Sequence, residues 1–150
     1  MTDVVDRQTR SRMMAGIKGQ NTSPEMAVRK ALHREGYRYS LHSRKLPGRP
    51  DLVLRKYGAV IFVNGCFWHG HKCHFFRWPR TRSEFWRKKI NGNIERDIRN
   101  KELLRDMGWR VCIIWECSLR GKTMLGIETV IGSLDNWVPS SSPCLEIPGT

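Results

Sequence analysis

Cys66, His71 and Cys73 follow the pattern C-x4-H-x-C within "FVNGCFWHGHKCHFF", residues 62–76, and Cys117 comes just after the apolar run "WRVCIIW", residues 109–115. Three thiolates and one imidazole make a closed tetrahedral zinc site, and four protein ligands leave no open position for a substrate, so such a site is structural. This is the strongest constraint in the chain. Any fold that satisfies it must bring a long loop after one apolar strand against the end of another. His69 and His74 are alternative imidazoles, so the spacing fixes the site better than it fixes its nitrogen ligand. The plainer alternative is that Cys66 and Cys117 are simply buried and the histidines lie on the surface. Cys112 falls inside an apolar run and reads as core, and Cys144 has no role in this reading. Five cysteines, an odd number without a secretory leader, argue against a disulfide framework.

The elements around this constellation are legible. "NTSPEMAVRKALHREG" starts a helix with Ser23 as N-cap, Pro24 at the first helical position and Glu25 in the positive first turn, and Gly36 stops it, giving a helix over about 24–35. Tyr37, Tyr39 and Leu41 alternate with polar residues as in a half-buried strand; "LPGRP" is turn chemistry before the strand "DLVL". Lys56, Tyr57 and Gly58 form the next turn, and "AVIFV" reads as a buried strand. Thr81 to Glu84 match a capping box, so a long helix begins there. Phe85, Trp86, Ile90, Ile94, Ile98 and Leu103 or Leu104 recur along it at near-helical spacing until Gly108. The strand at 109–115 follows, then a further helix between about Met124 and Trp137. The order is helix, three strands, helix, strand, an α/β chain. It divides into a basic arm over 1–22, a domain over 23–137 and a Pro/Ser-rich tail over 138–150 that reads as disordered.

Lys and Arg total 27 against 14 Asp and Glu, a formal charge of +13 spread through the chain, which favours a polyanionic partner, nucleic acid first. No stretch approaches the roughly 18 apolar residues that would span a bilayer, so no membrane partner is expected and a cytosolic location is.

A second, acidic centre lies near the quoted segment. If Arg55 pairs with Ala59 around the turn, antiparallel pairing puts Asp51 opposite Val63 and beside Asn64, at the strand end from which the Cys/His loop emerges. A carboxylate beside backbone carbonyls, completed by water, suits Mg²⁺. Glu25 can approach this centre and orient metal-bound water, or it can simply complement the helix dipole. His69, close to the same strand end, suits a general base toward water attacking a phosphodiester.

With "TSPEMAVRKAL", "LPGRPDLVL", "FVNGCFWHGHKC", "TRSEFWRKKINGNIERD" and "GWRVCIIWEC" in order, the sequence resembles the very short patch repair endonucleases over about residues 6–120. The resemblance implies a restriction-endonuclease-like core that nicks double-stranded DNA beside the thymine of a T·G mismatch, the product of 5-methylcytosine deamination. It implies that Asp51 and the Val63 carbonyl bind a catalytic Mg²⁺, with His69 as general base and Glu25 as support, and that Cys66, His71, Cys73 and Cys117 hold structural zinc. Phe67, Trp68 and Trp86 would enter the base stack beside the mismatch, and Met14 on the arm would wedge in from the opposite groove. Inserting apolar side chains costs a few kcal/mol of unstacking, least where pairing is already imperfect. Lys89 and Asn93, one turn apart, match mismatch-reading positions, whereas Arg87, Lys88, Arg96 and Arg99 are phosphate contacts or a solvated face. A bacterial, nucleoid-associated monomer is implied, with functional links to a DNA cytosine methyltransferase and mismatch-repair proteins.

Asn64 departs from the pattern. The resemblance implies that an ionisable residue, histidine or aspartate, can occupy this active-site position in relatives. Asparagine can neither accept a proton nor add negative charge to a metal, but it can hydrogen-bond phosphate or metal-bound water, so Asn64 is expected to alter rate or metal preference more than to abolish activity. Two other classes compete: a zinc-stabilised mismatch-binding protein whose nuclease centre Asn64 makes inactive, and a zinc-containing RNA or ribosome-binding module, which leaves the Asp51 arrangement unexplained.

Overall fold

The structure, a computed structural model, describes residues 21–150. Met14 and nearly all of the expected arm, residues 1–22, therefore lie outside the described residues. The elements are α1 (Ser23–Arg34), β1 (Ser40–Leu41), β2 (Leu52–Leu54), β3 (Ala59–Asn64), α2 (Ser83–Asp106), β4 (Arg110–Trp115), α3 (Ile127–Trp137) and β5 (Cys144–Ile147). Five strands form one sheet in the order β1-β2-β3-β4-β5, the first three antiparallel and β3, β4 and β5 parallel.

Alternation along the strands divides the core in two. Leu52, Leu54, Ala59, Ile61, Cys112 and Ile114 face α1 and α3, which contribute Val28, Leu32, Val130 and Leu134. Val53, Val60 and Val111 face the other way, where Leu104 of α2 and Leu46 cover them. Helices on both faces explain why the strands read as unbroken apolar runs.

Four local expectations shift. Thr22, not Ser23, caps α1: its hydroxyl accepts from the Glu25 amide at 3.4 Å, which makes Ser23 the first helical residue. Tyr37 and Tyr39 stay outside β1 because their hydroxyls are drawn to the helices, to Asp135 at 3.0 Å and to the Arg29 carbonyl at 2.8 Å. The β2–β3 register moves by one, with Leu54 rather than Arg55 opposite Ala59. Arg55 to Tyr57 wind into a single 3₁₀ turn closed by Gly58 at φ +62, which takes Arg55 out of the strand. The capping box is not formed either, since Arg82 stands at the N-cap of α2 with φ +53 and no side-chain cap.

Residues 138–150 are not a disordered extension: Val138 is buried and Cys144–Ile147 pair in parallel with Val111–Ile114 of β4. Pro and Ser dominate the composition there, but the short run CLEI finds an open parallel edge, and the Ile147 side chain joins the core. Ladder hydrogen bonds and one buried apolar residue outweigh local propensity.

Only Ile90 and Leu104 of the α2 stripe are buried, while Phe85 and Ile98 are 45% and 56% exposed. A helix of 24 residues runs about 36 Å, longer than the strands it covers. Its N-terminal half packs instead on the Cys/His loop, where Gly70 at φ +62 lies so close that an added Cβ would fall 2.6 Å from Ile94 Cδ1. Among the described residues no helix is long and apolar enough to cross a membrane.

Candidate active site and metal centre

Asp51 ends the turn that leads into β2, and its Oδ2 accepts the Val63 amide at 2.7 Å. The one-residue register shift would place Asp51 across from Phe62, yet the carboxylate still reaches the C-terminal end of β3. Burial raises the Asp51 carboxyl to about 7; the Val63 amide opposes the shift, nearby Glu25 adds to it, and His42 and His69 oppose it. Such a carboxyl gives up its proton most readily to a cation. Asn64 is buried at the end of β3, in register with Trp115.

Glu25 is 1% exposed and so is not an ordinary dipole partner on a solvated first turn. Its Oε1 accepts the Asn21 amide at 3.1 Å, and its Oε2 lies 2.7 Å from His42 Nε2 and 3.5 Å from an Arg29 nitrogen. His42 is also 3.9 Å from Asp51 Oδ1. Glu25, His42 and Asp51 thus form a cluster with ligand-capable atoms within 4.8 Å of one another.

His69 opens onto the same cleft, of about 340 Å³, which Asp51, Asn64, Lys89, Asn93 and Asp97 also line. Its Nδ1 is 2.5 Å from Asp97 Oδ2. A carboxylate at Nδ1 favours the proton there and leaves the Nε2 lone pair free to accept one. Asn93 reaches the Trp68 carbonyl with its amide nitrogen at 2.9 Å and accepts from Arg96, so its side chain also ties α2 to the loop.

A second cleft, of about 520 Å³, adjoins the first through Val63, Asn64, Gly65 and Trp68. Phe67, Trp68 and Trp86 form its apolar wall, with ring centroids 5.4 Å apart for Phe67–Trp68 and Phe67–Trp86 and 5.8 Å apart for Trp68–Trp86. Edge-on and tilted contacts of this kind hold the rings together as one cluster. Glu116 and Arg120 complete the rim, joined by an ion pair of 3.1 Å.

The four candidate sulfur and nitrogen donors come together. Cys66, His71, Cys73 and Cys117 present ligand atoms within 4.8 Å of one another, and His71 Nδ1 lies 3.6 Å from Cys117 Sγ. Bond lengths of about 2.1 and 2.3 Å in a tetrahedron give ligand separations of roughly 3.6–3.8 Å, so the donor set fits a single tetrahedral ion. Burial raises the Cys66 and Cys117 thiols and lowers the His71 imidazole. Metal uptake would therefore displace thiol protons and meet a neutral ring. The two alternative imidazoles are engaged elsewhere, His69 with Asp97 and His74 beside Thr123. The Trp115 indole stacks on His71 at 4.1 Å and donates to Glu146 of β5 at 2.6 Å, and the Gly149 amide donates to Cys117 Sγ at 3.2 Å. Cys112 is core, and Cys144 is exposed on β5.

Sequence reasoning missed Asp97, His42, Glu116 and Arg120. Asp97 carried a signal, since Lys89, Asn93 and Asp97 recur every four residues on one face of α2. His42 carried none, because its approach to Glu25 depends on the pairing of β1 with β2.

The family described as DNA mismatch endonuclease Vsr matches residues 2–75. The DNA mismatch endonuclease Vsr of Escherichia coli (strain K12) is 44% identical over 138 residues, covering 92% of this chain and 88% of the relative. The type II nicking enzyme V.NmeAIP of Neisseria meningitidis is 42% identical, covering 83% of this chain and 89% of its own. The type II nicking enzyme V.XorIIP of Xanthomonas oryzae pv. oryzae is 44% identical, covering 79% and 88%. A relative of this identity spans nearly the whole chain, and the chain belongs to the Vsr family of DNA mismatch endonucleases.

Proposed function

We propose that this protein is a divalent-cation-dependent endonuclease that nicks one strand of double-stranded DNA beside the thymine of a T·G mismatch. The observation that carries the reading is the shared cleft: Asp51 and His69 line one wall system, and the aromatic wedge of Phe67, Trp68 and Trp86 begins where it ends. A nuclease for damaged pairs needs both, a cation-binding carboxylate with a base, and apolar side chains able to open a stack beside a weak pair.

Asp51 and the Val63 carbonyl would hold Mg²⁺, whose hard oxygen preference suits them. The cation supplies Lewis-acid stabilisation of charge on the scissile phosphate. His69, held by Asp97 at Nδ1, takes the proton of the attacking water at Nε2. Glu25, fixed from both sides, orients water at the centre. Phe67, Trp68 and Trp86 enter the base stack, Lys89 and Asn93 approach the mismatched pair, and Met14 wedges from the other groove. Phosphate contacts by a chain of charge +13 provide most of the non-specific affinity. Zinc at Cys66, His71, Cys73 and Cys117 is structural and holds the Cys/His loop against the end of β4. The enzyme would work as a cytoplasmic, nucleoid-associated monomer, on lesions generated where a DNA cytosine methyltransferase acts.

Asn64 favours one alternative, a mismatch-binding protein without turnover, because its side chain supplies neither charge nor a proton acceptor. Duplexes with a T·G pair or its matched counterpart, incubated with Mg²⁺ or Mn²⁺, separate the readings. One nicked strand in the mismatched duplex alone supports the enzyme; binding without nicking in either cation supports the alternative; equal nicking of both duplexes removes mismatch specificity.

A further inference from the structure

His42 carries no chemical step in the reaction proposed above, yet three separate features set it at the carboxylate centre. Its amide donates to the Asp51 carbonyl at 3.1 Å, which extends the β1–β2 pairing past Leu41 and Leu52. Its backbone lies at φ +46, a conformation uncommon for residues with a Cβ, although histidine visits it more often than most. Its ring is turned inward, 13% exposed, with Nε2 at 2.7 Å from Glu25 Oε2 and 3.9 Å from Asp51 Oδ1. A loop histidine free to face water would need none of these. An unusual backbone conformation held at a functional centre points to a use for the side chain it aims.

The surroundings define that use. Glu25 is fixed at Oε1 by the Asn21 amide, and Asp51 is fixed at Oδ2 by the Val63 amide. The remaining oxygen of each faces His42; Arg29 also approaches the Glu25 oxygen at 3.5 Å, but only the His42 ring stands between the two carboxylates. Asn64 brings no ionisable group from β3. The geometry points to His42 as a positioning residue of the catalytic centre, whose Nε2–H holds the Glu25 carboxylate in fixed relation to Asp51. This rests on the reading of Asp51 as the cation-binding residue. His42 needs no proton exchange during turnover; it acts through the arrangement of the two carboxylates.

Three variants separate positioning from packing. His42→Phe keeps a ring but removes the donor, His42→Gln keeps an N–H donor without the ring, and Asp51→Asn removes the cation-binding charge. In single-turnover nicking of a T·G duplex, His42→Phe is expected to slow the nicking rate at least tenfold with DNA affinity unchanged, and His42→Gln to return it to within about threefold of the parent. Wild-type rates in His42→Phe, or a loss that appears in DNA affinity instead of rate, would overturn the role. Mn²⁺ bound without DNA gives a readout that needs no turnover. Its paramagnetic resonance line shape, set by ligand symmetry, should change in His42→Phe and recover in His42→Gln. An unchanged line shape in His42→Phe overturns the inference, whereas Mn²⁺ that fails to bind the parent, or binds Asp51→Asn equally well, overturns the reading of the centre itself.

Discussion

Asp97 Oδ2 stands 2.5 Å from His69 Nδ1, joining the middle of α2 to the loop that leaves β3. The pair fixes both the direction of the imidazole and the nitrogen that carries its proton. Asp97→Asn should slow nicking by roughly 10²- to 10⁴-fold, the range that a positioned general base supplies, while leaving mismatch binding intact. The amide can donate its own N–H to Nδ1 and so move the ring proton to Nε2, where it blocks proton acceptance. Rapid-quench rates beside equilibrium binding check this, and an Asp97→Asn enzyme at the parent rate would remove His69 from the proton-transfer role.

Asp51 gives a pH prediction with a definite sign. Its carboxyl is raised from 3.8 to about 7 in the folded chain, chiefly by burial, so between these values the folded state binds more protons than the unfolded one. Its contribution to stability is full below about pH 4 and is lost as pH rises through 7. Above pH 7, without a divalent cation at this centre, the folded chain carries a desolvated negative charge that costs on the order of 2–4 kcal/mol. Asp51→Asn should therefore be more stable than the parent at pH 8, with the difference shrinking toward pH 5. Denaturant midpoints at the two pH values test it; a difference independent of pH would refute the burial argument.

The zinc reading predicts stoichiometry and proton release. Freshly purified protein should carry about one zinc per chain, and Cys117→Ala should lose it together with much of the thermal stability. Because burial raises both the Cys66 and the Cys117 thiol, reloading zinc near pH 7 should release about two protons or more per ion. Calorimetry in buffers of different ionisation enthalpy counts them. Protein purified without chelator and found free of zinc would contradict the site.

Most of this architecture could be read from residue patterns because each signal was local. Pro24 and Glu25 mark a helix start, alternating faces mark the strands, and C-x4-H-x-C marks candidate donors that the fold gathers with Cys117. The features that escaped depend on contacts between distant segments. His42 meets Glu25 only after β1 pairs with β2, and the choice of His71 over His69 and His74 depends on Asp97 and Thr123 claiming the other two rings. The Asp51–Val63 meeting survives a register shifted by one residue, because the 3₁₀ turn takes Arg55 out of the ladder while the aspartate side chain spans the difference.

The aromatic wedge should discriminate between duplexes more than it binds them. Trp86 touches Phe67 and Trp68 and projects from the first turn of α2, so Trp86→Ala removes one face of the cluster while leaving the sheet core untouched. Base–aromatic stacking contributes about 1–3 kcal/mol per ring. Affinity for a T·G duplex should fall roughly 5- to 150-fold, with a smaller change for matched DNA, as fluorescence anisotropy at fixed salt would show. Equal losses on both duplexes would make Trp86 a general DNA contact.

The C-terminal segment gives the last prediction, because its composition and its contacts point in opposite directions. Residues 144–147 add the fifth strand and bury Ile147, Glu146 accepts the Trp115 indole, and the Gly149 amide donates to Cys117 Sγ. An N–H donor stabilises the negative charge of a thiolate and helps hold it in place, as outer partners of metal sites commonly do. Gly149 also has no room for a side chain, since a Cβ would stand 2.6 Å from the Cys117 carbonyl oxygen. Deleting residues 144–150 should therefore lower the thermal midpoint and also speed zinc loss to a chelator by about 10- to 100-fold. Gly149→Val, which keeps the strand but displaces the amide, should speed zinc loss with a smaller change in midpoint. A tail that merely covered an apolar edge would shift the midpoint in both variants and leave the rate of zinc release from Gly149→Val at the parent value.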